Sequence, residues 1–152
     1  MPSEVPISYI ELRVFAHATE DLEKVLTAVH NVLPEESMEE VEFERSDLTG
    51  YYNNPITLLE TRIEDKKFLK AAFEKLACKL STEDKRRLQR DIKQYTEKRN
   101  LYIRLDKQSA YLNEIKLTKT DPIHIRIRFQ IYFKKNIFEE VMKICREFGM
   151  LP

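Results

Sequence analysis

The chain has 152 residues, of which 42% are hydrophobic and 34% are charged. A chain of this length and apolar content buries a core without disulfides or metals, and no apolar run reaches the roughly 18 residues that cross a bilayer. Its first residues show no basic stretch followed by an apolar one, as a secretory signal has. We therefore expect one cytoplasmic globular domain over residues 1–152, without contact with a membrane.

The formal net charge of zero hides a division between two parts of the chain. Residues 1–65 hold 4 Lys and Arg against 15 Asp and Glu, a net charge of −11, while residues 66–152 hold 22 against 11, a net charge of +11. This predicts an acidic and a basic region, and a basic region attracts polyanions such as nucleic acid. The alternative is that the two parts interleave in space and neutralise each other in surface ion pairs.

The chain begins with a strand pattern followed by a helix pattern. Residues 7–16 alternate at the period of a strand. Thr19 stands in the position of a helix N-cap, and Glu20 and Asp21 place negative charge in the first turn. Pro34 ends this helix. Its apolar stripe is Leu22, Val25, Leu26 and Val29.

Two more strands follow, with a glycine between them. Val41 and Phe43 alternate with acidic residues and predict a short second strand. Residues 47–55 predict a polar turn around Gly50, and residues 56–63 predict a third strand.

Two helices are expected in the middle of the chain. Asp65 is a predicted cap for the first. Ser81, with Asp84 three positions later, resembles a capping box for the second, which we expect to continue to about Lys98. The buried stripe of the first helix is Phe68, Leu69, Ala72, Phe73, Leu76 and Leu80. The second helix has a sparser stripe and an exposed side rich in cations.

The last third of the chain contains the strongest strand pattern. Residues 101–105 alternate as a fourth strand, and the polar stretch 106–120 is expected to form a hairpin over 111–117. Residues 123–133 place six apolar side chains at period two.

A final helix is expected from a cap at Asn136 to Gly149. The resulting order, β-α-β-β-α-α-β-(β)-β-α with strands apolar on one face, predicts an α+β fold in which a mostly antiparallel sheet packs on helices. Abundant Lys and Glu with only two glycines give the chain a thermophile-like composition.

Signals for catalysis are weak. The sequence has no GxSxG, no glycine-rich phosphate loop and no HExxH. Among its three imidazoles, His17 lies between a strand and a helix, where a general base could be held, but local hydrogen bonding is the commoner role of such a histidine. Cys78 and Cys145 lie in apolar helical patterns and are expected to be buried thiols. We assign no catalytic residue, metal or cofactor.

Signals for binding are stronger and lie on the polar sides of the strands. If the strands share a sheet, its second face is a platform of aromatic rings and guanidinium groups, on which RNA bases stack and phosphates bind. The alternative is a face that is solvated or packed against another subunit. On the first strand the platform residues are Tyr9, Arg13 and Phe15. On the later strands they are Tyr102, Arg104, His124, Arg126, Arg128, Gln130 and Tyr132.

A separate basic patch is expected on the helix that follows Ser81. Arg86, Arg90 and Lys93 recur at i, i+4 and i+7, a spacing that lines one side of a helix and suits a phosphate backbone. The simpler interpretation is a solvated helix surface, because acidic residues lie nearby.

Three segments together resemble a known family. They are His17-Ala18-Thr19-Glu20-Asp21 with Val25, Gly50-Tyr51-Tyr52-Asn53-Asn54-Pro55-Ile56, and Leu105-Asp106-Lys107-Gln108-Ser109-Ala110-Tyr111 before Asp121. They resemble archaeal RNA-binding proteins described as predicted exosome subunits, whose fold is that of the ribosomal protein that binds 5S RNA. The sequence departs from this pattern at Tyr52 and Asn53, where histidine and glycine are usual, and near Asn113, where glycine is expected.

The resemblance implies RNA binding, association with archaeal RNA-processing proteins and no catalysis. Lys107 and Gln108 belong to its most specific segment. They either offer a cation to phosphate and an amide to a base edge, or hold the turn that follows the fourth strand.

The sequence thus predicts a non-enzymatic RNA-binding module. The alternative is a protein-interaction or assembly subunit whose aromatic and basic sheet face packs on a partner or on a second copy of the chain. The expected RNA-contacting residues are Arg86, Arg90, Lys93, Tyr102, Arg104, Lys107, Gln108, Arg126, Arg128 and Tyr132.

Overall fold

A computed structural model describes residues 5–37, 39–132 and 134–152 of the chain. The strands are β1 (Ile7–His17), β2 (Glu44–Thr49), β3 (Pro55–Ile63), β4 (Thr96–Glu97), β5 (Asn100–Leu105) and β6 (Ile123–Phe129). The helices are α1 (Leu22–Val32), α2 (Lys66–Lys79), α3 (Thr82–Arg90), α4 (Ile92–Tyr95), α5 (Lys107–Tyr111) and α6 (Ile137–Glu147). None of these helices is both long enough and apolar enough to cross a lipid bilayer.

All six strands belong to one sheet, in the order β2-β3-β1-β6-β5-β4. Every neighbouring pair is antiparallel. The strongest strand pattern in the sequence forms β6, which lies between β1 and β5. The predicted α+β fold with an antiparallel sheet is confirmed.

The core lies between one face of the sheet and the helices. Strand β6 buries alternate residues, as the period-two pattern predicts, and the intervening side chains point to the other face. Phe73 of α2 sits at the centre of the core: its ring centroid is 5.9 Å from that of Phe129 and 5.7 Å from that of Phe148. The predicted stripe of α2 is buried in full. The opposite face of the sheet is therefore free to carry the polar side chains.

Helix α1 begins two residues later than predicted. Asp21 is the N-cap, and its side chain accepts a hydrogen bond from the backbone N–H of Glu23 at 3.0 Å. Thr19 lies instead in a turn closed by the N–H of Glu20 and the carbonyl of His17, at 2.9 Å. The helix ends at Val32, as Pro34 predicts.

Strand β2 is displaced from its predicted position. Val41 and Phe43 precede it and pack, partly buried, on the core. The strand itself contains Asp47 and Leu48, which the sequence predicts as part of a turn. Every β2 residue is exposed, so this edge strand shows no hydrophobic alternation, and pairing with β3 is what makes it extended.

The helix predicted to reach Lys98 is broken. At Asp91 the backbone leaves the helical region, with φ −106° and ψ 23°. Helix α4 then ends at Tyr95, and a tight turn joins β4 to β5, with Lys98 at φ 55°. Ser81 caps α3 as predicted, because its hydroxyl accepts a hydrogen bond from the N–H of Asp84 at 3.0 Å.

Residues 106–120 form a short helix and a return segment, so the predicted hairpin is wrong. Asp106 caps α5 by accepting hydrogen bonds from Ser109, at 3.0 Å from its N–H and 2.7 Å from its hydroxyl. The chain then runs back beside β5, where Leu117 bridges to Leu105. An aspartate directly after a strand is thus an N-cap here.

The last two elements differ from expectation at their ends. Strand β6 stops at Phe129, before Tyr132 and before Phe133, which lies outside the described residues. Asn136 occupies the N-cap position of α6 in a left-handed conformation and makes no side-chain capping hydrogen bond. Gly149 ends the helix with φ 78°, as predicted.

Only one of the two cysteines is buried. Cys145 lies in the core, and burial raises the pKa of its thiol to about 12. Cys78 is exposed, on the outer side of α2, so its predicted burial is wrong. The apolar pattern around Cys78 extends one position beyond the face that packs on the sheet.

Candidate nucleic-acid interface

The sheet face away from the core carries an open cleft of about 940 Å³. Strands β1, β6 and β5 lie side by side, and their outward residues meet in register: Glu11 is opposite Arg126, and Arg126 is opposite Tyr102. The basic and aromatic lining residues are Arg13, Phe43, Arg62, Tyr102, Arg104, His124 and Arg126. Four of these belong to the platform that strand alternation predicts on β5 and β6.

Arg126 lies at the centre of a stack of aromatic rings and guanidinium groups. Its guanidinium carbon is 5.7 Å from the ring centroid of Tyr9 and 5.9 Å from that of Tyr102. Arg62 covers Tyr9 at 4.1 Å. Glu11 pairs with Arg62 and lies 3.8 Å from Arg126, so part of the charge of these two arginines is already neutralised.

Arg13, His124 and Arg104 form a more positive row beside this stack. They occupy adjacent positions on β1, β6 and β5, with His124 in the middle. Among the described residues, neither arginine has a carboxylate within 4.0 Å. Burial lowers the pKa of His124, and the charges of Arg13 and Arg104 lower it further. The row is therefore a local centre of positive potential.

The two remaining predicted residues of this face lie toward its end. Arg128 is half-buried, opposite Tyr9 on β1 and Asn100 on β5. Tyr132 follows the end of β6 and is 81% exposed, and its hydroxyl accepts a hydrogen bond from the amide of Gln130. Since the sheet ladder does not reach Tyr132, strand alternation does not fix its direction.

Carboxylates line the other side of the cleft. Glu42, Glu44 and Glu60 come from β2, β3 and the segment before them, and Glu60 lies opposite Arg13 in the register of β1 and β3. The acidic and basic parts of the chain thus interleave at the middle of this face, where Glu11 pairs with Arg126. The cleft has one basic side and one acidic side.

The predicted basic helix surface is divided by the break at Asp91. Arg86 and Arg90 are exposed on α3, while Lys93 is exposed on α4. A hydrogen bond to Asp91, at 3.2 Å, raises the pKa of Arg90. The i, i+4, i+7 spacing predicts a single line only if the helix is continuous.

Lys107 is held inside the protein by an ion-pair cluster. Its ammonium lies 3.0 Å from both Glu20 and Asp121 and donates to the carbonyl of Phe15, and its side chain is 11% exposed. His17 contacts Asp121 at 3.0 Å. Burial opposes ionisation of Asp121, but its hydrogen bonds with His17 and Lys107 hold the pKa of this carboxyl below its usual value. The sequence left two roles open for Lys107, contact with RNA or a structural role in the turn after the fourth strand. These contacts fit the structural role.

The same cluster brings three potential metal-ligand atoms together. Atoms of His17, Glu20 and Asp121 lie within 4.8 Å of one another. The Lys107 ammonium already supplies the positive charge between the two carboxylates. Gln108, the neighbour of Lys107 in the sequence, is exposed on α5.

We expect Lys107→Met to lower the free energy of unfolding by about 1–3 kcal/mol, because it leaves the partly buried Glu20 and the neighbouring Asp121 without their shared cation. Urea denaturation measures this change. Lys143→Met, on the exposed side of α6, is the control and should change stability by less than about 0.5 kcal/mol. Equal stability of the two variants would contradict a structural role for Lys107.

Two residues of the site were not expected from the sequence. Glu11 and Arg62 meet across β1 and β3; Arg62 lies over the ring of Tyr9, and Glu11 lies beside the guanidinium of Arg126. The antiparallel register of β1 and β3 places these opposite charges face to face, and no pattern in the sequence indicates this pairing. Arg13 and His124 were expected on the platform, and the structure places them side by side. Arg13 is a stronger candidate for phosphate binding than Arg126, because it has no ion-pair partner among the described residues.

The chain is similar in sequence to known RNA-binding proteins. A family model described as RNA binding matches residues 9–129. The chain is 38% identical over 150 residues to the RNA-binding protein PAB1135 of Pyrococcus abyssi, covering 97% of this chain and 96% of that protein.

Solved structures of archaeal proteins share the fold. A DUF54 protein from Methanothermobacter thermautotrophicus superposes with a TM-score of 0.73 at 32% identity, covering 91% of this chain and 97% of that one. A DUF54-type protein from Archaeoglobus fulgidus gives a TM-score of 0.76 at 31% identity, covering 93% and 99%. The family match covers every strand of the sheet in full except β1, of which it leaves out the first two residues, Ile7 and Ser8. The chain belongs to the RNA-binding family.

Proposed function

We propose that the protein binds RNA on the open face of its sheet, with phosphates on the arginines and bases stacked on the aromatic rings. The observation that carries this proposal is the row Arg13–His124–Arg104 beside Tyr102, which combines two guanidinium groups that have no carboxylate within 4.0 Å among the described residues with an aromatic surface. Stacking of a base on such a ring contributes about 1–3 kcal/mol, and arginine both binds phosphate and stacks. Membership of the RNA-binding family supports the same function.

The proposed contacts extend the set expected from the sequence. Tyr102, Arg104, Arg126 and Arg128 remain contacts on the sheet face, and Arg13 joins them. Tyr132 and Gln108 are exposed and stay candidates at the margin. Arg86, Arg90 and Lys93 form the alternative surface, which offers charge without an aromatic platform.

We propose binding without catalysis. His17, the one candidate general base, hydrogen-bonds Asp121 in the Lys107 cluster and is not among the residues that line the cleft. The relative from Pyrococcus abyssi is named as an RNA-binding protein.

Fluorescence anisotropy with labelled single-stranded and structured RNA tests the function. Affinity should fall steeply as salt rises, because each phosphate contact releases condensed counterions, with a log–log slope of about −0.7 per contact for a single strand. Lack of binding to every RNA at low salt would refute RNA binding by this protein.

A protein-interaction or assembly role is the second candidate, and one observation favours it. The β2–β3 hairpin lies at one edge of the sheet: every residue of β2 is exposed, including Leu48 at 44%, and Tyr52 near its tip is 96% exposed. An exposed edge strand is able to pair with another chain, whether a partner or a second copy. Self-association or protein capture that hardly responds to salt, together with no RNA binding, would support this role.

The cellular role that we propose is association with archaeal RNA-processing proteins, including the exosome, in the cytoplasm. The support is the sequence resemblance, which joins this fold to proteins described as predicted exosome subunits. Crosslinking in cell extract, followed by identification of both bound RNA and bound proteins, tests it. Recovery of RNA without any processing protein would contradict the association while leaving RNA binding intact.

A further inference from the structure

His124 lies between two arginines on the floor of the cleft. It faces Arg13 on one neighbouring strand and Arg104 on the other, and the ring of Phe15 contacts it edge-on with centroids 6.5 Å apart. We propose that Arg13, His124 and Arg104 form a phosphate-binding row, and that His124 takes up a proton when an RNA phosphate binds there. This inference rests on the proposed function and specifies its chemistry.

The charges around His124 disfavour its protonation in the free protein. Besides the partial burial of the ring, Arg13, Arg104 and Lys107 all lower its pKa, and Asp121 raises it. Lys107 is itself neutralised by its two carboxylates. At neutral pH the free row therefore holds two positive charges and a neutral imidazole.

A bound phosphate reverses this balance. Its negative charge offsets the two guanidinium groups, and its oxygens accept a hydrogen bond from a protonated imidazole N–H. The pKa of His124 is then higher in the complex than in the free protein. Since the complex holds more protons, affinity must rise as pH falls between the two pKa values.

The row can accept two kinds of RNA phosphate. The row lies in an open cleft across three adjacent strands. An internal phosphodiester and a terminal phosphate share the required chemistry. An oligonucleotide with hydroxyl groups at both ends offers only internal phosphodiesters, and its 5′-phosphorylated form adds the terminal one.

The test compares RNA affinity at about pH 8 and about pH 6, at constant ionic strength, for wild type, His124→Asn and His17→Asn. With the unphosphorylated oligonucleotide, wild type should bind roughly threefold to tenfold more tightly at the lower pH. His124→Asn should still bind, with less than about a twofold change between the two pH values. His17→Asn, which changes an exposed histidine of the same strand as Arg13, should behave as wild type.

A second measurement does not depend on the folding of any variant. Titration of the His124 imidazole resonance in the wild-type protein, with and without RNA, should show a higher pKa in the complex. A wild-type pH response that appears only with the 5′-phosphorylated oligonucleotide assigns the row to a terminal phosphate.

The possible failures separate this inference from the function on which it rests. Tight RNA binding with the same pH response in wild type and His124→Asn, or with an unchanged His124 pKa, would overturn the proton uptake and keep the RNA-binding function. Loss of the pH response in His17→Asn alone would also overturn it. No RNA binding at either pH at low salt would refute the proposed function itself.

Discussion

Ile127→Asp is expected to prevent the protein from folding. Ile127 is fully buried at the centre of β6, directly between Ile10 of β1 and Leu101 of β5. A carboxylate there has no partner, and burying it costs several kcal/mol in addition to the lost apolar contacts. Because a domain of this size is stable by about 5–15 kcal/mol, the change removes most or all of its stability. Circular dichroism with thermal melting measures the result.

Arg128→Asp is the matched control for this prediction. Arg128 is the next residue of the same strand, and its side chain points to the open face. We expect this variant to fold cooperatively, because its carboxylate reaches solvent. A cooperative melt for Ile127→Asp would show that the two faces of the sheet are assigned the wrong way round.

Arg13→Ala with Arg104→Ala is expected to weaken RNA binding by about tenfold or more at moderate salt. These arginines have no ion-pair partner within 4.0 Å among the described residues, so their guanidinium groups are open to phosphate. Loss of two phosphate contacts should also reduce the log–log salt slope by about one to two units. Anisotropy titrations at several salt concentrations measure both effects, and the fold should be unchanged because Arg13 and Arg104 are exposed.

Arg86→Ala with Arg90→Ala removes the same amount of charge from α3. We expect it to have a small effect, since Arg90 already pairs with Asp91 and no aromatic platform lies on that helix surface. A large effect of the helix pair and a small effect of the sheet pair would place RNA on α3. Small effects of both pairs would mean that neither surface is the site.

The parts of the fold that could be predicted are those where burial imposes a period on the sequence. Strand β6 and helix α2 each pack one face on the core, so their apolar residues recur at two and at 3.6 positions. Strand β2 has no buried face, and helix α5 has a single buried residue, Ala110. Strand β2 is extended because it pairs with β3, and α5 is helical because Asp106 caps it. Neither cause produces a periodic pattern of apolar residues in the sequence.

Backbone conformation explains two departures of the sequence from its family pattern. Asn53 and Asn113 stand at or near positions where glycine is usual, and both have positive φ, 61° and 63°. Glycine adopts this region without steric cost, and asparagine tolerates it better than other residues. The departures therefore preserve the turns.

The candidate site could be predicted in part. Alternation along β5 and β6 correctly placed Tyr102, Arg104 and Arg126 on one face, because neighbouring residues of a strand point to opposite sides. The neutralisation of Lys107 could not be predicted, since Glu20 is 87 positions away in the chain. The same holds for the pairing of Glu11 with Arg62, which are 51 positions apart. Contacts of this kind depend on the sheet register.

Ultraviolet crosslinking of bound RNA, followed by mass spectrometry of the crosslinked peptides, tests most directly whether RNA lies on the open sheet face. RNA bound on this face should give crosslinks at Tyr9, Phe15 and Tyr102, whose rings lie on β1 and β5 beside the arginines. Crosslinks confined to α3, or to the β2–β3 hairpin around Tyr52, would contradict it.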